Sequence, residues 1–395
     1  MKKTIRVVVQ RYGTEINGGA EQHARRIAER LLGKYNVEVI TSTALEYTTW
    51  AEYYKPGRSV VNGVDVIRFS SVCTRNASYY GEQNAKISRC IDEGRKIPEE
   101  LKEQWLIAQG LICPDMLEYI KEVSPETHAF LFVTYLFYPV IKGLPLVGEK
   151  SMFIPTAHDE RYIYYDFFQE VFHAPKDYLF NSQEEADFVH KLFHNKHIRY
   201  KVVGEGVDKP EKVYPEEFKK KFDIDNYVLY VGRIDSAKGC DRLMKYFAEY
   251  KRRYPSDLKL GFVGKQIIPV IEHPDIKYIG FISDQEKFDG LAGARLLIMP
   301  SHYESLCMSL LESLSVGTPV IANAECDVNR GHCVRSNAGL YFEDYFQFEM
   351  CMNYLLGNEE LYNQMSENGI RYIRDNYNWN IVMDRIDEIM EDYNL

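Results

Sequence analysis

Residues 228–247 read VLYVGRIDSAKGCDRLMKYF, and the order of features in them decides the fold class. An apolar run ends at Val231, Gly232 lets the backbone turn, and a short loop carries Arg233 and Lys238 to an amphipathic helix that opens near Cys240. Strand, glycine turn and helix in that order are the repeating unit of a parallel α/β sheet. A lysine at a helix N-terminus opposes the macrodipole by about 0.3–1 kcal/mol unless an anion lies there, so Lys238 and Arg233 are candidate ligands of a diphosphate. The alternative pairs both cations with Asp235 or Asp241 as surface ion pairs, worth about 0–1 kcal/mol with no ligand at all.

Working outward, strands are expected at residues 227–231, 258–263, 276–279, 296–299 and 319–322, with helices between them. A first series stands at 4–10, 37–41, 64–69, 129–134, 152–155, 178–180 and 200–203, interleaved with amphipathic stretches such as 21–32 and 184–193. The whole is two Rossmann-like units, as a chain of 395 residues, too long for one core, also implies. The charge-rich segment 206–226, with Pro210 and Pro215, reads as the linker, giving a first domain at 1–205 and a second at 227–376. Beyond Phe342 the pattern is helical, at 345–355, 360–376 and 380–393, and no repeat of 20–50 residues is present. The polar and aromatic excursion 75–114, with Tyr79, Tyr80 and Trp105, reads either as a surface shaped for an acceptor or as solvated crossover helices.

A second cluster, PSHYESLCMSLLESLSVGTPVIA at 300–322, places Glu304 in the loop after a strand and Glu312 inside an apolar helix that opens near Cys307. The spacing is E-x7-E, and Gly317-Thr318-Pro319 ends the helix before a buried strand. A carboxylate on a helix bound for the interior needs partners, and a ribose diol or a sugar hydroxyl offers hydroxyl donors of the right size; the plain reading makes Glu312 a solvent-facing helix residue and Glu304 an ordinary loop or cap residue. Near the start, NGGAEQHARRIAERL at 17–31 puts Gly18 and Gly19 before a helix, where backbone N–H groups can approach a phosphate or sugar closely. The dinucleotide pattern G-x-G-x-x-G is absent there, which disfavours a dehydrogenase. His158 follows the strand at 152–155, with Asp159 to orient it. Asp223-Ile224-Asp225 is a weak D-x-D and is not taken as a metal site.

Composition narrows the class further. Charged residues at 27% and hydrophobic residues at 45% describe an ordinary globular protein, and a net charge of -10 argues against binding nucleic acid by phosphate neutralisation. Eight scattered cysteines without C-x-x-C pairs and a start without a signal-peptide pattern point to free thiols in a reducing cytoplasm. The longest apolar run, 129–141, is interrupted and far short of the roughly 20 residues that span a bilayer. Basic patches at 196–201 and 219–221 leave peripheral contact with an anionic membrane face as an expectation.

Together GGAE at 18–21, FNSQEEADF at 180–188, GEGVD at 204–208, VGRIDSAKG at 231–239 and E-x7-E with GTPVIA at 317–322 resemble glycosyltransferase family 4, along nearly the whole chain. The resemblance implies a GT-B fold of two facing Rossmann-like domains, with a last helix, 377–395, packing back toward the first. It implies a retaining transfer of a sugar from a nucleotide diphosphate sugar to a glycan, lipid-linked or other hydroxyl acceptor, with no cofactor and no required metal. By similarity Arg233 and Lys238 neutralise the diphosphate, Glu304 contacts the transferred sugar, His158 lies near its ring and Glu312 holds the ribose. Gly18, Gly19, Gly232, Ile282, Leu306, Cys307 and Met308 complete the donor site. The chain departs from the family at Leu306-Cys307, where Phe-Gly is usual, and lacks the paired glycines often seen in 325–331. A nucleotide-sugar epimerase, a sugar phosphorylase and a non-catalytic nucleotide-sugar-binding subunit are the competing readings.

Overall fold

A computed structural model describes residues 2–391 and Tyr393; Met1, Asp392, Asn394 and Leu395 lie outside it. The chain divides into two compact units, Met1–Val203 with Met383–Leu395, and Gly204–Val382.

The first unit is built on eight strands: β1 Thr4–Val8, β2 Asn36–Ser42, β3 Gly57–Val61, β4 Val64–Phe69, β5 Ala129–Val133, β6 Ser151–Ile154, β7 Asp177–Phe180 and β8 Arg199–Val202. They lie in the order β3-β4-β2-β1-β5-β6-β7-β8. Every neighbouring pair is parallel except β3 and β4, which form an antiparallel hairpin. Asn62 (φ 49°) and Gly63 (φ 82°) turn that hairpin, a two-residue loop with both positions left-handed. In register Val7 faces Val39 on one side and Leu131 on the other. The central strands are unbroken apolar runs, AFLFV in β5 being buried throughout, because helices cover both faces of a parallel sheet. Edge strand β3 is exposed over most of its length.

The second unit has six parallel strands, β9 Tyr227–Val231, β10 Lys259–Val263, β11 Ile276–Gly280, β12 Leu297–Met299, β13 Val320–Asn323 and β14 Gly339–Phe342. Their order is β11-β10-β9-β12-β13-β14, so the winding direction reverses between β9 and β12. In an open sheet the carboxyl ends of the strands at such a reversal are where ligands bind. The loops after β9 and β12 are the two stretches that carry Arg233, Lys238 and Glu304.

Three segments differ from their sequence reading or sharpen it. Residues 206–226 are not a bare linker: the Pro215–Phe222 helix buries Phe218 against Tyr227, ring centroids 5.7 Å apart, and Tyr214 N–H donates to Asp289 Oδ1 at 2.7 Å. The excursion 75–114 contains the Ala77–Asp92 and Glu99–Gln109 helices, and Trp105 is fully buried with its indole N–H donating to Asn84 Oδ1 at 2.7 Å. The last helix, Trp379–Glu391, contributes its second half to the first unit. There Arg385 donates to Val203 O at 3.2 Å, Lys34 and Lys201 pair with Asp387 and Glu388, and Tyr393 Oη donates to Ser151 O at 2.9 Å. Among the described residues no helix is long and apolar enough to cross a membrane, and all eight cysteines are unpaired.

Candidate active site

The loop after β9 is wound around one buried carboxylate. Asp235 accepts the backbone N–H of Lys238 at 2.8 Å through Oδ1 and the Arg233 Nε–H through Oδ2. Tyr230 Oη donates to Arg233 O at 2.7 Å and fixes the start of the turn. Gly232 (φ 151°) is packed so closely on the next strand's end that a Cβ at Gly264 would run into its carbonyl. Of the two sequence readings, the ion-pair alternative holds for Arg233 with Asp235 and fails for the Lys238 side chain.

Lys238 instead donates from Nζ to Glu304 Oε1 at 2.7 Å, 66 residues along the chain. The contact exists because Gly239 (φ 72°) has no side chain: a Cβ there would collide with Pro300 O, so only glycine lets the two loops touch. Burial pulls the Lys238 ammonium down, but the Glu304 charge and hydrogen bond outweigh it and hold the lysine above its ordinary value. It is therefore charged at neutral pH, and Glu304 uses one of its three N–H groups.

Leu306, Cys307 and Met308 continue this loop into the Met308–Ser315 helix. Cys307 caps the helix in a left-handed conformation, φ 65° and ψ 67°, which glycine adopts without cost and a residue with a Cβ adopts under strain. That is the physical content of the Leu306-Cys307 departure: the backbone keeps the shape glycine favours while a buried thiol fills the space. Burial pushes that thiol well above the ordinary cysteine range, so it is no nucleophile at neutral pH.

Two residues of this site were missed in the sequence. His332, fully buried, donates from Nε2 to Leu306 O at 2.9 Å and accepts from Tyr372 Oη at Nδ1, 3.0 Å away. Burial, with the nearby Arg335 charge, lowers its pKa to about 3, so the ring is neutral and pins the site loop as a hydrogen-bond bracket. Lys287 is the second: its Nζ donates to Glu312 Oε1 at 2.7 Å, and burial of the lysine is outweighed by the charges of Glu312 and Asp284. Glu312 is buried, as its place on the apolar helix predicted, and a cation from the Asp284–Gly293 helix meets its charge. Ile282, just ahead of that helix, and Met308 are half-buried against one apolar cluster. Removing one partner of a buried pair strands the other, so Glu312→Ala is expected to destabilise the protein by about 3–5 kcal/mol, and Glu312→Ala with Lys287→Met by much less, in urea unfolding.

In the first unit Gly18 caps the Gly19–Leu31 helix, and a Cβ on Gly18 would strike the Glu21 carboxylate that pairs with Arg11. Space around Gly19 is open. His158 Nδ1 lies 3.5 Å from Glu160 Oε1, whereas Asp159 accepts the Tyr164 hydroxyl at 2.6 Å; Glu160, not Asp159, faces the imidazole. The His158 loop is held by Glu185, whose carboxylate accepts Ala157 N–H at 2.6 Å and Asn181 N–H at 2.7 Å and is pushed up by burial to about 8. After β5 and β6 stand Thr134 (φ 72°) and Thr156 (φ 51°), β-branched residues in the left-handed region, joined at 3.2 Å through their hydroxyls. Each such residue costs on the order of 1–3 kcal/mol and is tolerated where the surroundings over-determine it, commonly at functional sites.

Asp223 and Asp225 do not converge: they face Lys277 at 3.8 Å and Lys219 at 3.7 Å, and no group of three or more metal-ligating side chains occurs among the described residues. In the basic patches, Lys201, Lys219 and Lys221 are paired with Glu388, Glu216 and Glu286.

Residues 215–372 match the model of the glycosyl transferases group 1 family. O-antigen chain mannosyltransferase B of Escherichia coli is 27% identical over 124 residues, 29% of this chain and 32% of that protein. D-inositol 3-phosphate glycosyltransferase of Frankia alni is 30% identical over 180 residues, 40% of this chain and 44% of that protein. The matched stretches thus span less than half the length of these relatives. Over the whole length, Anabaena HepE, solved in complex with UDP and glucose, superposes with a TM-score of 0.69 at 12% identity, covering 99% of this chain and 100% of that one. The chain has the GT-B fold.

Proposed function

We propose that this protein transfers a sugar from a nucleotide diphosphate sugar to a hydroxyl acceptor, a glycan or lipid-linked sugar, with retention of configuration, in the assembly of a polysaccharide or glycoconjugate. The observation that carries the reading is the Lys238–Glu304 pair at the β9/β12 reversal, which sets a cation and a hydrogen-bond-accepting carboxylate side by side.

The bond from the sugar's anomeric carbon to the diphosphate oxygen breaks, the acceptor oxygen bonds to that carbon, and the acceptor proton passes to the diphosphate. Charge grows on the leaving oxygen as the sugar gains oxocarbenium character. Lys238 with two unspent N–H groups, Arg233, and the N-terminus of the Met308–Ser315 helix are the fixed positive charges that stabilise it. These groups do the work a divalent cation would do, and no cofactor enters the step. Glu304 orients the transferred sugar through its hydroxyls, and Glu312, buried beside Lys287, takes the ribose.

Incubating the purified chain with UDP, GDP and ADP sugars and a panel of glycan acceptors tests the reading. Nucleoside diphosphate release that depends on acceptor, together with a glycoside retaining the donor's anomeric configuration, is expected. An epimerised free donor, or sugar 1-phosphate formed from inorganic phosphate, would overturn it.

A further inference from the structure

Arg75 stands between β4 and the Ala77–Asp92 helix, one residue before Asn76, the helix N-cap. Asn76 accepts Tyr79 N–H at 3.0 Å, and no acidic residue occupies the first turn. An arginine at the positive end of a 16-residue helix, without a carboxylate in that turn, is a charge conflict. Nor is it resolved elsewhere: among the described residues Arg75 has no carboxylate within ion-pair distance, and its one side-chain hydrogen bond is from Nε to Gln109 O at 3.0 Å. Its guanidinium lies over the rings of Trp50 and Tyr80, 5.4 and 5.2 Å from their centroids. Burial lowers its pKa, and the groups that oppose the shift are the tyrosines Tyr80, Tyr162 and Tyr47, not acids.

Arg11 shows the contrast. It lies over the same Trp50 ring and over Tyr47, at 5.9 and 5.4 Å, yet is neutralised by Glu21. Arg68, also buried, spends both terminal amino groups on Ser59 Oγ and Tyr12 O, at 2.6 and 2.7 Å. Arg75 alone of these three keeps its terminal N–H groups without a protein acceptor, and the adjoining first residues of its helix, Asn76–Ser78, are exposed. The Trp50 ring under this guanidinium is fully buried, and its indole N–H has no acceptor. A half-buried guanidinium flanked by aromatic rings and a helix N-terminus is built for a planar or tetrahedral oxyanion carried on a sugar.

We propose that Arg75 and the first turn of the Ala77–Asp92 helix hold an anionic group, phosphate or carboxylate, on the acceptor sugar. The proposal rests on the transfer reading for the word acceptor, while the anion site itself does not. Glucose 6-phosphate, glucuronate, inorganic phosphate and methyl glucoside are titrated against the tryptophan fluorescence of the full chain, and the two sugar acids are offered as acceptors beside methyl glucoside. The anionic sugars are expected to bind about tenfold or more tightly than the neutral one, the scale of a lost charge-assisted hydrogen bond. That preference is expected to vanish in Arg75→Gln and to survive in part in Arg75→Lys, both with native circular dichroism. A stronger response to glucose 6-phosphate identifies a phosphate site, and to glucuronate a carboxylate site. Equal binding of charged and neutral sugars, or a preference unchanged in Arg75→Gln, overturns the proposal. If the preference disappears in Arg75→Gln while no donor is ever consumed, the anion site stands and the transfer reading falls. If the native protein glycosylates the anionic sugars no better than methyl glucoside, or prefers them to the same degree in Arg75→Gln, the transfer reading stands and the anion site falls.

Discussion

Lys238→Ala is expected to lower sugar transfer by about 10²–10³-fold in kcat, the loss measured when one preorganised donor to a developing oxyanion is removed. The effect falls on kcat because charge on the leaving oxygen grows in the transition state, so the lysine's contact strengthens there. Its pair complicates the single variant, since Glu304, mostly buried, would be left facing no cation. The double variant Lys238→Ala with Glu304→Ala separates the two causes. A folding defect from the stranded carboxylate would be relieved in it, and a catalytic defect would persist. Retention of full turnover by the double variant would remove both residues from the site.

The second large effect is on stability. His332 has its pKa lowered from 6.5 to about 3, so below pH 6.5 the unfolded chain takes up a proton that the native protein refuses. Stability from this residue is fully present above pH 6.5 and falls by about 1.4 kcal/mol per pH unit as the pH drops toward 3. In urea unfolding between pH 7 and pH 4 this slope is expected as the difference between the native protein and His332→Gln, whose side-chain amide can still donate to Leu306 O, because Glu185, pushed up to about 8, contributes a slope of opposite sign to both. Parallel acid limbs for the two proteins would refute a neutral, buried His332. Loss of the bracket also frees the loop of Glu304 and Cys307, so donor affinity is expected to fall in step with stability.

The strands that form the sheet interiors could be read from sequence because they are apolar and buried throughout, as AFLFV in β5 and YVLYV in β9 are. Two strands escaped. β3 is exposed along its length and has no apolar face to announce it, although the Asn62-Gly63 turn beside it was a usable hairpin signal. β14, GLYF, opens on a glycine and is half exposed, so no buried apolar run announces it.

At the site, the residue types were legible and the partnerships were not. Lys238 with Glu304 and Lys287 with Glu312 join positions 66 and 25 residues apart, and only the sheet order brings them together. His332 lies on a helix with almost no amphipathic pattern, so its sequence surroundings mark it as unremarkable surface, whereas it is fully buried. Cys307 was visible as a departure from glycine, but the left-handed backbone that explains the departure is a property of the fold.

The close fit of Gly239 against Pro300 O also constrains how the gene can vary in length. Because the loop after β9 touches the loop after β12 through bare backbone, a one-residue deletion or duplication in either would slide Lys238 off Glu304. Changes of length in natural variants should therefore be found outside residues 232–239 and 300–307, and also outside 265–268, whose backbone is hydrogen-bonded to Ile234 in the same loop.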